Sequence, residues 1–152
     1  MVVSAALLRY PEPLPDPAND GPCSCTLRPA WARLDDDAVL KWAVVEVGDW
    51  EELRQCPSCG LHWLSTWPEE LDGNPILCRP LPPDVRRLKD IDRLATLRPY
   101  CLARLEEHLG ELREEKRPCK KVDCEKKRLL GAQYCLEHLI AQRFGRQLSK
   151  LR

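Results

Sequence analysis

The sequence predicts an α+β protein, with a small β-rich first part followed by a helical second part. All five tryptophans fall between residues 31 and 67, a window whose β-branched and aromatic residues favour short strands. After residues 80–83, Pro-Leu-Pro-Pro, the apolar residues instead recur every three or four positions. That spacing is typical of one face of a helix.

Composition is typical of a soluble globular protein, with 43% hydrophobic and 32% charged residues among 152. No stretch approaches the roughly 18 apolar residues that span a bilayer, and the apolar start lacks the basic region of a signal peptide. We therefore expect a cytoplasmic protein that does not enter a membrane. The net charge is zero but unevenly divided: −7 for residues 1–79, +1 for 80–110 and +6 for 111–152. Such a chain offers surfaces to partners of either sign.

The chain divides into three segments, which form one compact unit or two small ones. Alternating prolines in residues 1–22 favour an extended arm. The β-rich part, residues 23–80, is expected to hold strands around 26–34, 38–47, 61–67 and 76–79. The helical part covers residues 81–152.

Three helical stripes are expected in the second part. The first has Asp84 as its N-cap and ends or restarts at Pro99. The second follows it, and a last helix is expected from about Cys135 to Lys150. The apolar residues of the three stripes are, in order, Val85, Leu88, Ile91, Leu94 and Leu97; Leu102, Leu105, Leu109 and Leu112; and Leu139, Ile140, Phe144 and Leu148.

Nine cysteines in a chain without a secretory signal favour metal binding over disulfides. The strongest motif places Cys119 and Cys124 before Cys135 and His138, in the pattern Cys-x4-Cys, x10, Cys-x2-His. Two short ligand pairs separated by a loop can supply the four tetrahedral ligands that zinc requires. The segment resembles the short zinc fingers of bacterial and phage proteins that end in Tyr-Cys-x2-His, and this resemblance implies a metal-stabilised fold rather than an activity.

A second zinc site is predicted in the β-rich part, so two zinc ions are expected. Cys56-Pro-Ser-Cys59-Gly60 has the form of a zinc knuckle, in which glycine permits the tight turn. Cys23 and Cys25 are the nearest residues that could complete an all-cysteine site, and His62 is an alternative fourth ligand. Iron is also compatible with tetrahedral sulfur ligands here. The remaining Cys78 and Cys101 are expected to be buried thiols.

No catalytic constellation accompanies these sites. Zinc enzymes keep an open coordination position, whereas both predicted sites have four protein ligands. The sequence also lacks His-Glu-x2-His, Gly-x4-Gly-Lys and Gly-x-Ser-x-Gly motifs. We therefore expect a protein that is not an enzyme.

Residues 50–75 resemble part of some bacterial toxin-immunity proteins. The shared features are Trp50-x2-Leu53, the aromatic segment 61–67 with Pro68, and the turn Gly73-Asn-Pro75. The resemblance implies a protein-binding module that neutralises a partner toxin, its acidic surface covering a basic site. The candidate contacts are Asp49, Glu51, Glu52, Glu69, Glu70 and Asp72.

An alternative function is nucleic-acid binding through the basic C-terminal part. Basic residues surround the predicted finger, as in many fingers that contact phosphates. They are interleaved with acidic residues, which weakens the positive field. The candidate contacts are Lys116, Arg117, Lys120, Lys121, Lys126, Lys127 and Arg128.

Overall fold

A computed structural model describes residues 24–34, 37–67 and 75–150 of the chain. The predicted arm over residues 1–22 lies outside these ranges. The elements in chain order are β1 Trp31–Arg33, α1 Asp37–Leu40, β2 Ala43–Gly48, β3 Glu51–Gln55, β4 His62–Thr66, β5 Ile76–Cys78, α2 Arg93–Leu109, β6 Glu114–Pro118, β7 Lys127–Leu129 and α3 Leu136–Lys150, with 3₁₀ turns at Ser24–Thr26 and Leu88–Asp90.

Strands β1 to β5 form one five-stranded sheet in the order β1-β5-β4-β3-β2, and every neighbouring pair is antiparallel. Leu64 lies opposite Leu53 on one side and Cys78 on the other. Strand β2 occupies one edge of the sheet, and its register against β3 shifts between Val44 and Glu46. The predicted α+β class, with strands in the first part and long helices in the second, is confirmed.

The sheet buries apolar side chains on both faces. On one face Leu53, Leu64 and Ile76 join the core that includes Leu105 and Ile140 from the helical part. Side chains of the same strands that alternate with these point to the opposite face, because successive residues of a strand face opposite sides. That second face holds a smaller cluster of Cys25, Leu34, Val39, Trp42, Cys56, Trp63 and Leu77.

The strand predicted over residues 38–47 is wrong in its first half. Residues Asp37–Leu40 form a single helical turn, and β2 begins only at Ala43. Val39 and Trp42 are both buried in the second-face cluster, and the N–H of Trp42 donates to the carbonyl of Val39 at 3.0 Å. A turn brings residues three apart to the same side, whereas a strand would have placed them on opposite faces. The strand expected around 26–34 is likewise reduced to Trp31–Arg33.

The first long helix begins later than predicted and is not interrupted at Pro99. Its N-cap is Asp92 rather than Asp84, and its carboxylate accepts the N–H of Ala95 at 3.0 Å. The helix then continues through Pro99 to Leu109. Val85, Leu88 and Ile91, which were expected to begin this helix, are still buried. They lie instead in a segment of bends and one 3₁₀ turn that precedes the helix.

The last part of the chain is a small hairpin followed by a helix. Strands β6 and β7 pair antiparallel and form a separate two-stranded sheet. The final helix, predicted from about residue 135 to 150, is confirmed as Leu136–Lys150. It packs Leu139, Ile140 and Phe144 into the main core, where the Phe144 ring meets Tyr100 edge to face at 6.1 Å between ring centroids.

Candidate metal centres

The four predicted ligands of the C-terminal finger come together in the structure. Cys119 follows β6, Cys124 lies in the turn beyond it, and Cys135 and His138 stand at the start of α3. Their ligand atoms all lie within 4.8 Å of one another. The N–H of Cys119 donates to the carbonyl of Lys126 at 2.9 Å, which closes the loop that carries Cys124 back onto the hairpin.

The distances within this group match those between the corners of a coordination tetrahedron. Metal–ligand bonds of typical zinc length separate two sulfurs by about 3.8 Å and a sulfur from a nitrogen by about 3.5 Å. The sulfurs of Cys124 and Cys135 are 3.9 Å apart. The Nδ1 atom of His138 lies 3.4 Å from the Cys119 sulfur and 3.3 Å from the Cys135 sulfur. The group is therefore already the right size for one ion.

Local hydrogen bonds prepare one of these cysteines to be a thiolate, the form that binds metal. Burial acts to raise the pKa of Cys119. Hydrogen bonds from the N–H groups of Cys135 and Lys121 and with the side chains of His138 and Cys124 together outweigh it and bring the pKa to about 6. For Cys124, the N–H of Lys126 acts to lower the pKa, whereas burial and the neighbouring thiols raise it above its usual value. Of these two cysteines, Cys119 therefore loses its proton more readily.

The second group unites three of the four cysteines predicted for the β-rich part. The sulfurs of Cys25, Cys56 and Cys59 all lie within 4.8 Å of one another. Cys25 belongs to the 3₁₀ turn Ser24–Thr26, while Cys56 directly follows β3. Gly60 takes a φ of +74° and donates its N–H to the carbonyl of Cys56 at 2.9 Å, so glycine serves here where other residues would be strained. The fourth predicted cysteine, Cys23, lies outside the described residues.

Two arginines and two tryptophans surround this N-terminal group. The guanidinium of Arg79 donates to the carbonyls of Cys25 at 3.1 Å and Arg28 at 2.9 Å. Arg79 also stacks over the ring of Trp63, at 5.4 Å from the centroid, and Arg28 stacks over Trp42 at 5.2 Å.

The remaining candidate ligands lie apart from both groups. His62 is not part of the three-cysteine cluster found among the described residues, and burial together with Arg86 lowers its pKa. Cys78 and Cys101 are buried in the main core, as expected, and neither forms a disulfide within the described chain. Burial, reinforced by the neighbouring Cys101, raises the pKa of the Cys78 thiol, which keeps it protonated.

The predicted acidic contacts are not all on the surface. Asp49 is exposed and Glu52 is half-buried, but Glu51 is only 4% exposed and forms an ion pair with Arg93 at 2.5 Å. Glu51 therefore fixes the helical part to the sheet rather than offering a free carboxylate. The other three carboxylates, Glu69, Glu70 and Asp72, lie outside the described residues.

The predicted basic contacts lie around the C-terminal finger, and most are exposed. Arg128 is the exception, because it is half-buried and pairs with Glu115. Val122, which lies in the loop between Cys119 and Cys124, is 81% exposed. The exposed basic residues are Lys116, Arg117, Lys120, Lys121, Lys126 and Lys127.

Sequence reasoning missed an apolar surface along the edge strand. Val44, Val45, Val47 and Trp50, which we name the β2 surface, are all exposed, with Val47 at 71% and Trp50 at 68%. The sequence suggests a strand here, but nothing in it says that this strand lies at the edge of the sheet. The sequence does carry one indication of this surface. Three valines and a tryptophan fall in one strand and the turn after it, which is more apolar side chains than a strand with a single buried face requires.

Comparison of the chain with protein-family models, curated proteins and solved structures found no match. None of the helices in the described part is both long and apolar enough to cross a membrane. The two cysteine clusters are therefore identified by their own geometry, as groups of ligands that could each hold a metal ion.

Proposed function

We propose that this chain is a non-catalytic, zinc-stabilised protein-binding module, in the form of an inhibitor that neutralises a partner toxin. The β2 surface is the observation that carries the proposal. Soluble monomers rarely expose contiguous large apolar side chains, and such a patch is a common feature of protein-binding sites. Strand edges are usually protected instead by charge, proline or short length.

Zinc would act structurally in both clusters. In the finger, four protein ligands fill a tetrahedral site and leave no position for substrate or water. The N-terminal group supplies three sulfurs among the described residues, and Cys23 is the proposed fourth ligand. An all-sulfur site can hold zinc or iron, so the second metal is proposed as zinc with iron as its competitor. Either ion would tie the 3₁₀ turn at Cys25 to the end of β3.

Charge beside the β2 surface supports a basic partner. Asp49 is exposed at the end of β2, and Glu46 lines the adjoining cleft. Carboxylates at the rim of an apolar patch speed association with a basic partner and reject acidic ones. A toxin whose active site binds an acidic substrate would present such a basic surface.

Site-specific photocrosslinking of the full chain tests this proposal. A photoreactive residue replaces Val47 in one sample and Val122, which is equally apolar and exposed at the finger, in the control. Expression in cells that carry a candidate toxin should give one stoichiometric adduct from position 47 and protect growth, and Val47→Lys should abolish both. Adducts of equal yield from both positions, or protection that survives Val47→Lys, would contradict the proposal.

Nucleic-acid binding through the finger is a second candidate, supported by the exposed lysines. Ion pairs already occupy several carboxylates of this region, namely Glu111 with Arg113 and Glu115 with Arg128. The exposed lysines around the finger are therefore less neutralised than the sequence alone suggests. Binding to a labelled 20-base-pair duplex should then weaken steeply between about 50 and 200 mM salt, by roughly 100-fold for four phosphate contacts. Binding with no salt dependence would exclude this candidate.

A further inference from the structure

Strand β2 forms an edge of the five-stranded sheet, and no described strand pairs with its outer side. In the part of the chain that the structure describes, β2 pairs with β3 alone. Its residues Ala43 to Gly48 are exposed or half-buried throughout. An unpaired edge presents backbone N–H and carbonyl groups that can bind an extended segment of another protein, which then extends the sheet.

The two sides of this edge differ in chemistry. Val44 and Val47 lie opposite Arg54 and Glu52 of β3, so they belong to the second face of the sheet. On the first face, β2 borders a cleft of about 840 Å³, whose lining includes Glu46 and Gly48 and also reaches Val47. Its apolar floor is formed by Leu88, Ile91, Leu94, Ile140 and Ala141.

The cleft is acidic. Its lining includes five carboxylates and two basic side chains, a net charge of −3. Within this lining Arg93 pairs with the buried Glu51, and Glu137 pairs with Arg98 outside it. Among the described residues, the unpaired acidic excess therefore comes from Glu46, Asp49 and Asp92 against the exposed Lys89. The five carboxylates are Glu46, Asp49, Glu51, Asp92 and Glu137.

We infer that β2 binds an extended basic segment of the partner protein as a sixth strand of the sheet. This inference rests on the proposed protein-binding function and specifies its mode. Because side chains of a strand alternate between faces, the segment places apolar residues against Val44 and Val47 and lysine or arginine residues toward the cleft. The recognised pattern is therefore an alternation of basic and aliphatic residues.

A second copy of this chain fits the edge poorly. Antiparallel pairing of two β2 strands would bring the Glu46 side chains of both copies together near the two-fold axis. Like charges opposed across strands are destabilising.

Titration of the ¹⁵N-labelled full chain with synthetic peptides tests the mode of binding. The probe is an acetylated eight-residue peptide that alternates lysine and valine. One comparison peptide has glutamate in place of lysine, and another carries N-methyl groups on alternate residues and so cannot complete strand pairing. The lysine peptide should shift the amide signals of Ala43–Gly48 and bind about tenfold or more tightly than either comparison peptide. Val47→Lys should weaken it, and the matched Val122→Lys should not.

Three results would overturn the inference. They are equal binding of the lysine and glutamate peptides, equal binding of the N-methylated peptide, and signal changes confined to the finger. Self-association of the free chain that Val47→Lys abolishes would instead identify a second copy as the occupant. If the peptides fail while the adduct from position 47 is still obtained, strand addition is wrong and the protein-binding function stands. If the adduct also fails, the function itself is wrong.

Discussion

Removing the guanidinium of Arg93 should cost more stability than removing the charge of Glu51. The two side chains form a bidentate pair, with nitrogen–oxygen distances of 2.5 and 3.2 Å. The Glu51 side chain is 5% exposed and that of Arg93 17%. Without Arg93, a carboxylate is left buried and uncompensated, whereas Arg93 without Glu51 retains more contact with water.

The expected magnitudes follow from this difference in burial. Arg93→Met should lower the free energy of unfolding by about 3–5 kcal/mol, the cost of leaving one member of a buried ion pair alone. Glu51→Gln should cost roughly 1–2 kcal/mol, because the amide oxygen still accepts a hydrogen bond. The double variant Glu51→Leu/Arg93→Met should be more stable than Arg93→Met, since it leaves no buried charge.

Urea denaturation in excess zinc measures all three variants. Arg98→Met is the matched control, because Arg98 and its partner Glu137 are 37% and 39% exposed. That substitution should cost less than about 1 kcal/mol, as exposed ion pairs usually do. A cost for Glu51→Gln equal to that of Arg93→Met, or a double variant less stable than Arg93→Met, would refute the reasoning.

Three further predictions concern packing, glycine and capping. Leu105→Ala should cost about 2–5 kcal/mol in urea denaturation, because Leu105 is fully buried, whereas Leu94→Ala, on an exposed residue, should cost well under that. Gly48→Ala should destabilise by about 1–3 kcal/mol, since its new methyl group would lie 3.0 Å from a β3 side chain. Gly145→Ala should instead raise the melting temperature, because nothing lies within 4 Å and alanine favours helix by up to about 1 kcal/mol. Asp92→Ala should lower the free energy of unfolding by about 0.5–2 kcal/mol through loss of the N-cap. Asp92→Asn should keep most of that stability, because asparagine also caps helices well. Equal effects of the two glycine variants, or of the two Asp92 variants, would contradict these assignments.

Both metal clusters could be predicted because their information is local. Cys-x2-Cys-Gly and Cys-x2-His fix sulfur and nitrogen atoms within one turn of backbone, so spacing alone predicts which atoms share an ion. Combining Cys25 with the knuckle required a tertiary contact, and its place in the pair Cys23-Ser-Cys25 indicated the right partner. His62 is close in sequence to the knuckle, but it lies at the start of β4 and outside the cluster.

The start of α2 could not be read from apolar spacing. Val85, Leu88 and Ile91 recur at intervals of three and are all buried. A 3₁₀ turn also repeats every three residues, so the same spacing arises without an α-helix. Asp84 is a plausible cap in sequence, but the helix that packs against the sheet is capped by Asp92 instead. Pro99 was expected to break the helix, yet the burial of Leu97 and Tyr100 on either side holds the helix through it.

The edge position of β2 and the burial of Glu51 were also beyond the sequence. Strand order depends on contacts between segments far apart in the chain, and a run such as Val44-Val45 is equally compatible with a central strand. In the sequence, Glu51 stands among other acidic residues and was therefore expected to be a surface carboxylate. Only its distant contact with Arg93 shows that it is an interior ion-pairing residue.

Metal content of the purified chain, measured by elemental mass spectrometry, tests the central claim most directly. Single Cys59→Ser and Cys135→Ser variants separate the two clusters, and Cys78→Ser serves as the control for loss of an unrelated cysteine. Two zinc ions per chain are expected, with one lost in each of the first two variants and none in the control. A chain that purifies without metal, or that keeps both ions in the Cys59 and Cys135 variants, would contradict the account.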